Sequence, residues 1–332
     1  MRQVIFMLGT ALHLILLTSC NGEVSERAAI GGVAAQLQKE SKPTTAVITD
    51  MESRTSRTEI LLTQLKDVSS SKVFVVSHRG DWHSAPENSL AAIQRCIEMG
   101  VDLLEIDIRT TRDGKYVLMH DKDLDRMTDG TGKVSHYSLE ELRKLRLRDH
   151  SGKLTEERIC TLQEALETSR GKILVYLDKC EHDIPNVFRI VDEMNMADQV
   201  FFYGHRRYEE LAKHLGQDFG RIKYLPKLGE GTINPDDYVD NFLKQFHPVA
   251  FVTSFERDDS EVLKQFDRIR SGGSRIWLSP LWDTMCGGRT DELALTDPVA
   301  NWGWLVDHGA TLICTDRPGE LIAYLRSRKL HE

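Results

Sequence analysis

VFVVSHRGDWHSAPENS, residues 73–89, passes from an apolar run rich in valine into a loop of charged and polar groups. A short continuous apolar run of this kind reads as a buried strand. His78 and Arg79 therefore stand where a strand gives way to a loop, the edge at which α/β folds build their sites. An imidazole, a permanent cation, a glycine and then Glu87-Asn88 behind Pro86 pack poorly. They suit an anion.

Strand-like runs recur downstream at 102–109, 116–121, 173–178, 199–204, 222–225, 249–255, 275–281 and 311–315. Helix-like runs separate most of them. Ser89–Met99 carries Leu90, Ile93 and Ile97 at helical spacing, and Ser138–Leu145 opens with a capping-box pattern. Alternating strands and helices imply a parallel sheet with crossovers. The globular part, 71–331, has the ~250 residues of a TIM (β/α)8 barrel. Nine strand candidates are one more than that barrel needs, so one lies outside it.

The chain has 332 residues, a net charge of −8 and 40% hydrophobic residues. This composition supplies one substantial core and lacks the basic face of a nucleic-acid binder. Met1-Arg2 followed by VIFMLGTALHLILL (4–17) and Leu17-Thr18-Ser19-Cys20 reads as a secretory signal ending in a lipobox. The expectation is a lipoprotein signal over 1–19, lipidated Cys20 and a tether over 20–70, in which Ser56–Asp67 forms one amphipathic helix. The protein is then exported and anchored to a bacterial membrane, periplasmic or at the cell surface. An ordinary signal peptide with a chance cysteine is the plainer alternative. Five further cysteines without a Cys-x-x-Cys pair support neither a disulfide framework nor zinc.

Chemistry-bearing residues follow the first strand. Glu105 and Asp107 lie two apart in an apolar run and so share one face of a strand. Two such carboxylates call for compensation, most simply a hard divalent cation; the alternative is a solvated outer edge. Asp113-Gly114 predicts a two-residue hairpin loop. In that register Asp107 pairs with His120, which places His120 beside the carboxylates; parallel neighbours joined by a longer turn are the other possibility. Lys179, at the end of the run 173–178, is either an anion ligand or a lysine reaching solvent. Two histidines, a carboxylate-held cation, Arg79 and Lys179 together suit cleavage of a phosphodiester.

His78-Arg79-Gly80, Pro86-Glu87-Asn88, Glu105-Ile106-Asp107, Thr110-Thr111-Arg112-Asp113-Gly114 and His120-Asp121 followed by Leu124-Asp125-Arg126 resemble, in order and spacing, the glycerophosphodiester phosphodiesterase family. Thr315-Asp316-Arg317-Pro318, Ser254-Phe255 and Trp277 have counterparts there too. The resemblance spans roughly 73–325. It implies a TIM barrel with a small insertion after the third strand, about 122–160. It implies a Ca2+ or Mg2+ ion on Glu105 and Asp107, His78 and His120 as acid/base pair, and Arg79 on the phosphate, with Glu87, Asn88 and Asp121 in support. A substrate hydroxyl attacks first, a cyclic phosphate forms, and water opens it to an alcohol and glycerol 3-phosphate. One departure concerns the third metal ligand. The family has Glu two residues before its strand-four Lys, where this chain has Leu177. Asp178 takes the role, or failing it Glu181, although strand alternation turns Asp178 away from Lys179 unless a bulge intervenes.

Other readings keep the chemistry but change the diester to an inositol or sphingolipid type, or make the barrel a non-catalytic binding module. Trp282, Trp302 and Trp304 either pack the barrel or shape the alcohol side of the site. No protein partner is implied.

Overall fold

The computed structural model describes residues 55–332. The signal, Cys20 and most of the tether lie outside the described residues. Eight parallel strands close into a barrel: β1 (Phe74–Ser77), β2 (Leu103–Thr110), β6 (Leu174–Asp178), β7 (Val200–Gly204), β8 (Lys223–Leu228), β9 (Ala250–Thr253), β10 (Arg275–Leu278) and β11 (Ala310–Thr315). β1 pairs with both β11 and β2, which completes the ring. The ninth candidate, β3 (Tyr116–Leu118), lies outside it as the antiparallel partner of β2. The insertion follows this third strand in chain order. It carries the short pair β4 (Arg146–Arg148) and β5 (Leu154–Arg158) around a small core of Val117, Met119, Leu124, Leu142, Leu147 and Ile159.

Alternation along each strand sorts the apolar residues into two layers. Phe74, Val76, Leu103, Leu174, Tyr176, Phe201, Leu225, Val252, Trp277 and Leu312 fill the lumen. Val75, Leu104, Ile106, Val175, Leu177, Phe202, Ile276 and Ile313 face the helices.

The floor of the barrel corrects the expected domain boundary at 71. Arg57–Lys66 does form a helix, opened by a capping box between Ser56 and Glu59. It is not tether: Leu61 and Leu65 join the lumen cluster. Buried Arg275 reaches its carboxyl end, donating from Nε to Leu65 O at 2.8 Å and from Nη2 to Gln64 O at 2.9 Å. These carbonyls have no partner within the helix.

The β2–β3 hairpin corrects the predicted register by one residue. Ile108 pairs with Leu118, Arg109 with Val117 and Thr110 with Tyr116, so Asp107 falls opposite Met119, not His120. The loop has three residues: Lys115 O accepts from Thr111 N, and Gly114 sits at φ 72°. A type I turn followed by a left-handed glycine uses the same Asp-Gly pair as the tighter turn but adds one residue.

Candidate active site

At the upper end of the lumen three carboxylates converge. Leu103 points inward, so Glu105 and Asp107 do as well. The parallel ladder sets Glu105 beside Tyr176 and Asp107 beside Asp178. Tyr176 lies in the lumen, hence Asp178 enters it on alternation alone, with neither a bulge nor a turn at the strand end needed. It is Lys179 that leaves the strand pattern, at φ 60°. Glu105, Asp107 and Asp178 each offer an oxygen, all within 4.8 Å of one another. Glu181 is elsewhere, accepting from His205 N at 2.7 Å.

Burial, and then the charges of Asp107 and Asp178, push the Glu105 carboxyl well above its ordinary range. Compensation comes from the loop after β1. Arg79 N donates to Glu105 Oε2 at 2.7 Å, and Arg79 Nε lies 3.6 Å from Asp107 Oδ2. Asn88 clamps Asp107 twice: Nδ2 donates to Oδ2 at 2.8 Å, and Oδ1 accepts from Asp107 N at 2.9 Å. Arg79 and Asn88 both take φ 57°, a left-handed conformation that non-glycine residues rarely adopt and that clusters at functional sites. Gly80 between them has no alternative: at φ 80° its added Cβ would lie 2.8 Å from Ala92 Cβ. Three hard oxygen donors, one with a displaced titration, and an Arg79 Nε that lacks a hydrogen-bond partner suit a divalent cation of the Ca2+ or Mg2+ class and an anion beside it.

Each histidine is held by an aspartate. His78 Nδ1 lies 2.8 Å from Asp316 Oδ1, which also accepts from Trp82 Nε1 at 2.7 Å. His120 Nδ1 lies 2.7 Å from Asp121 Oδ1. Ionised carboxylates only accept, so both rings hold a proton on Nδ1, and Nε2 is the nitrogen left to take up or give a proton. Burial raises the Asp316 carboxyl, but the bonds from His78 and Trp82 more than offset this and keep it low. Asp121 is held lower still, chiefly by Arg126. Arg126 also reaches Glu87 Oε2 at 2.9 Å, and Glu87 lies 3.4 Å from Arg79 Nη1. Although the hairpin register does not place His120, Arg109 Nε donates to its carbonyl at 3.0 Å and fixes it at this edge.

Lys179 does not stand over the carboxylates as a free cation. Its Nζ pairs with Asp178 Oδ2 at 3.3 Å, and its side chain lines a separate cavity with Tyr116 and Asp183. The tryptophans divide. Trp302 is buried, its Nε1 donating to Asp291 Oδ1 at 2.8 Å, and Trp304 stacks under Arg289. Trp282 is 52% exposed, packs edge-on against His78 and lines a cavity of about 430 Å³ with His78, Arg79, Trp82 and Glu87. His83 stacks on Trp82. All five described cysteines are buried and unpaired.

Sequence reasoning gave no role to Asp316, Arg126, Trp82 or Lys227. Asp316 was visible only as part of Thr315-Asp316-Arg317-Pro318 at a strand end. Lys227 had no signal at all: it enters the lumen side of β8, where burial draws its ammonium down against the pull of Asp178.

Residues 78–215 match the glycerophosphoryl diester phosphodiesterase family, and residues 224–325 match a family described as a domain of unknown function. A glycerophosphodiester phosphodiesterase of Caldanaerobacter subterraneus subsp. tengcongensis is 34% identical over 157 residues, 43% of this chain and 65% of that protein. The chain thus covers just under two thirds of that relative. The crystal structure of a glycerophosphoryl diester phosphodiesterase from Parabacteroides distasonis is 26% identical. It superposes with a TM-score of 0.69 over 82% of this chain and 92% of its own. An Oleispira antarctica phosphodiesterase, solved with the product sn-glycerol-3-phosphate, shares the fold at 21% identity and a TM-score of 0.56 over 78% of this chain and 99% of its own. The chain resembles the glycerophosphodiester phosphodiesterases, in sequence across the first half of the barrel and in fold around all of it.

Proposed function

We propose that this chain hydrolyses glycerophosphodiesters to an alcohol and sn-glycerol 3-phosphate, with a divalent cation on Glu105, Asp107 and Asp178. The observation that carries the reading is the cluster of three carboxylates flanked by Arg79 and by two histidines with Nε2 free. The product bound by the Oleispira protein agrees with it. When bound, the cation neutralises phosphoryl charge, and Arg79 adds a bidentate donor on the same group.

The remaining steps belong to the chain. One histidine takes the proton of the substrate hydroxyl beside the phosphate at Nε2 as the new P–O bond forms. The other, protonated, gives its proton to the departing alcohol oxygen. The roles reverse when water opens the cyclic phosphate, and both rings return to their starting states. Asp316 and Asp121 hold the Nδ1 proton throughout and stabilise each imidazolium as it forms. Glu87 and Asn88 act by positioning Arg79 and Asp107.

The test is release of glycerol 3-phosphate from a panel of deacylated phospholipids with Mg2+ or Ca2+. Release abolished by chelator and restored by metal is the expected result. Release of an inositol phosphate or a lipid product would redirect the substrate class, and no release from any diester would reject hydrolysis. We further propose export and lipidation at Cys20, read out as incorporation of labelled fatty acid that Cys20→Ala abolishes.

A further inference from the structure

We propose that Lys227 binds the phosphate group of the substrate, across the carboxylate cluster from Arg79. This rests on the phosphodiesterase reading and adds a residue to it. Leu225 faces the lumen, so Lys227, two residues on along β8, opens onto the same interior. Its ammonium lies 6.0 Å from the ring centre of Tyr203, which packs edge-on against Tyr176, two residues before Asp178. Asp178 is the foremost opposite charge acting on it. Yet among the described residues no carboxylate stands within the 4.0 Å of an ion pair, whereas neighbouring Lys179 is already bound to Asp178 at 3.3 Å. A cavity of about 520 Å³ lined by Lys227, Ser254, Glu256 and Thr284 opens beside it. A half-buried ammonium without a counter-ion draws an anion, and a tetrahedral anion over the carboxylates supplies one.

Two residues on from Asp178 stands Cys180, a buried thiol packed on the helix side. Lys227, two strands away in the order β6, β7, β8, returns a cation to the lumen.

Calorimetric titration of the Mg2+-loaded protein with inorganic phosphate tests this, beside kinetics on a glycerophosphodiester. Lys227→Met is expected to weaken phosphate binding about tenfold or more and to lower kcat/KM by about 10²-fold, with Mg2+ affinity kept within about threefold. Lys227→Arg should recover most of the phosphate affinity. Lys227→Gln repeats the measurement should the Met variant fail to fold. Phosphate binding equal to wild type in a folded neutral variant, or no phosphate binding by wild type, overturns the proposal. Should wild type cleave no diester while phosphate binding still depends on Lys227, the activity reading falls and this one stands.

Discussion

The two ends of the barrel bury charge in opposite ways. At the floor, Asp102 is fully enclosed and met by donors and opposite charge from the chain itself. It accepts from Val75 N at 2.9 Å and His331 Nε2 at 2.9 Å, and it pairs with Lys72 at 3.1 Å. Burial pushes its carboxyl up, but His331 and Lys72 more than reverse this. Arg275 Nε and Nη2 donate to carbonyls at the end of the Arg57–Lys66 helix. At the mouth, Glu105, Asp107 and Asp178 crowd together with too little positive charge among them, and Glu105 titrates high. Charge answered by the chain itself is structural. Charge left over is there for something that arrives from outside.

Variants should divide along the same line. The largest effect is expected at the mouth: His78→Ala and His120→Ala should each lower kcat by about 10³-fold with an unchanged melting temperature. Retained activity in either would remove it from the acid/base pair. Next, Asp102→Ala should cost about 3–5 kcal/mol in chemical denaturation, because it leaves the Val75 N–H enclosed without a partner and removes the opposite charge from Lys72, while activity per folded molecule persists. Glu105→Gln should do the reverse, stabilising the metal-free protein by about 1–2 kcal/mol while abolishing Mg2+ binding. If Glu105→Gln destabilises as Asp102→Ala does, the two ends do not differ in kind.

The smallest effect sharpens why. Asp291 is buried like Asp102, but only neutral donors meet it: Trp302 Nε1 and Asp316 N, each at 2.8 Å. Burial outweighs them and pushes its carboxyl up to about 7. The unfolded chain ionises this group near pH 4, the folded one only near 7, so stability should fall as pH rises between the two and level off above. Asp291→Asn should flatten that slope by about 1–2 kcal/mol between pH 5 and 7.5, measured by urea denaturation without metal. An unchanged slope would show that the neutral donors suffice to keep Asp291 ionised.

The fold was legible because nine apolar runs alternating with helix-like segments admit few arrangements, and the surplus strand declared itself by count. The pair Glu105 and Asp107 was legible because alternation is local. What failed was register. Asp113-Gly114 serves two loop lengths that differ by one residue, and one residue exchanges the faces of a strand. Asp178 joins Glu105 and Asp107 by plain alternation, and the break in the pattern sits at Lys179, whose left-handed backbone no local pattern announces. Asp316, Lys227 and Asp291 stayed hidden because what matters in each is a neighbour more than 10 residues distant in sequence, which only the tertiary fold brings near.

One junction has a consequence for heat. His78 hangs from the barrel wall, whereas His120 stands at the border of an insertion with a core of its own. Arg126, about half exposed, fastens that insertion to Glu87 on the barrel side through a pair of contacts. Such a clasp opens well before a closed sheet does. The clasp is therefore the first part of the site expected to loosen on warming, with turnover fading while the barrel is still intact.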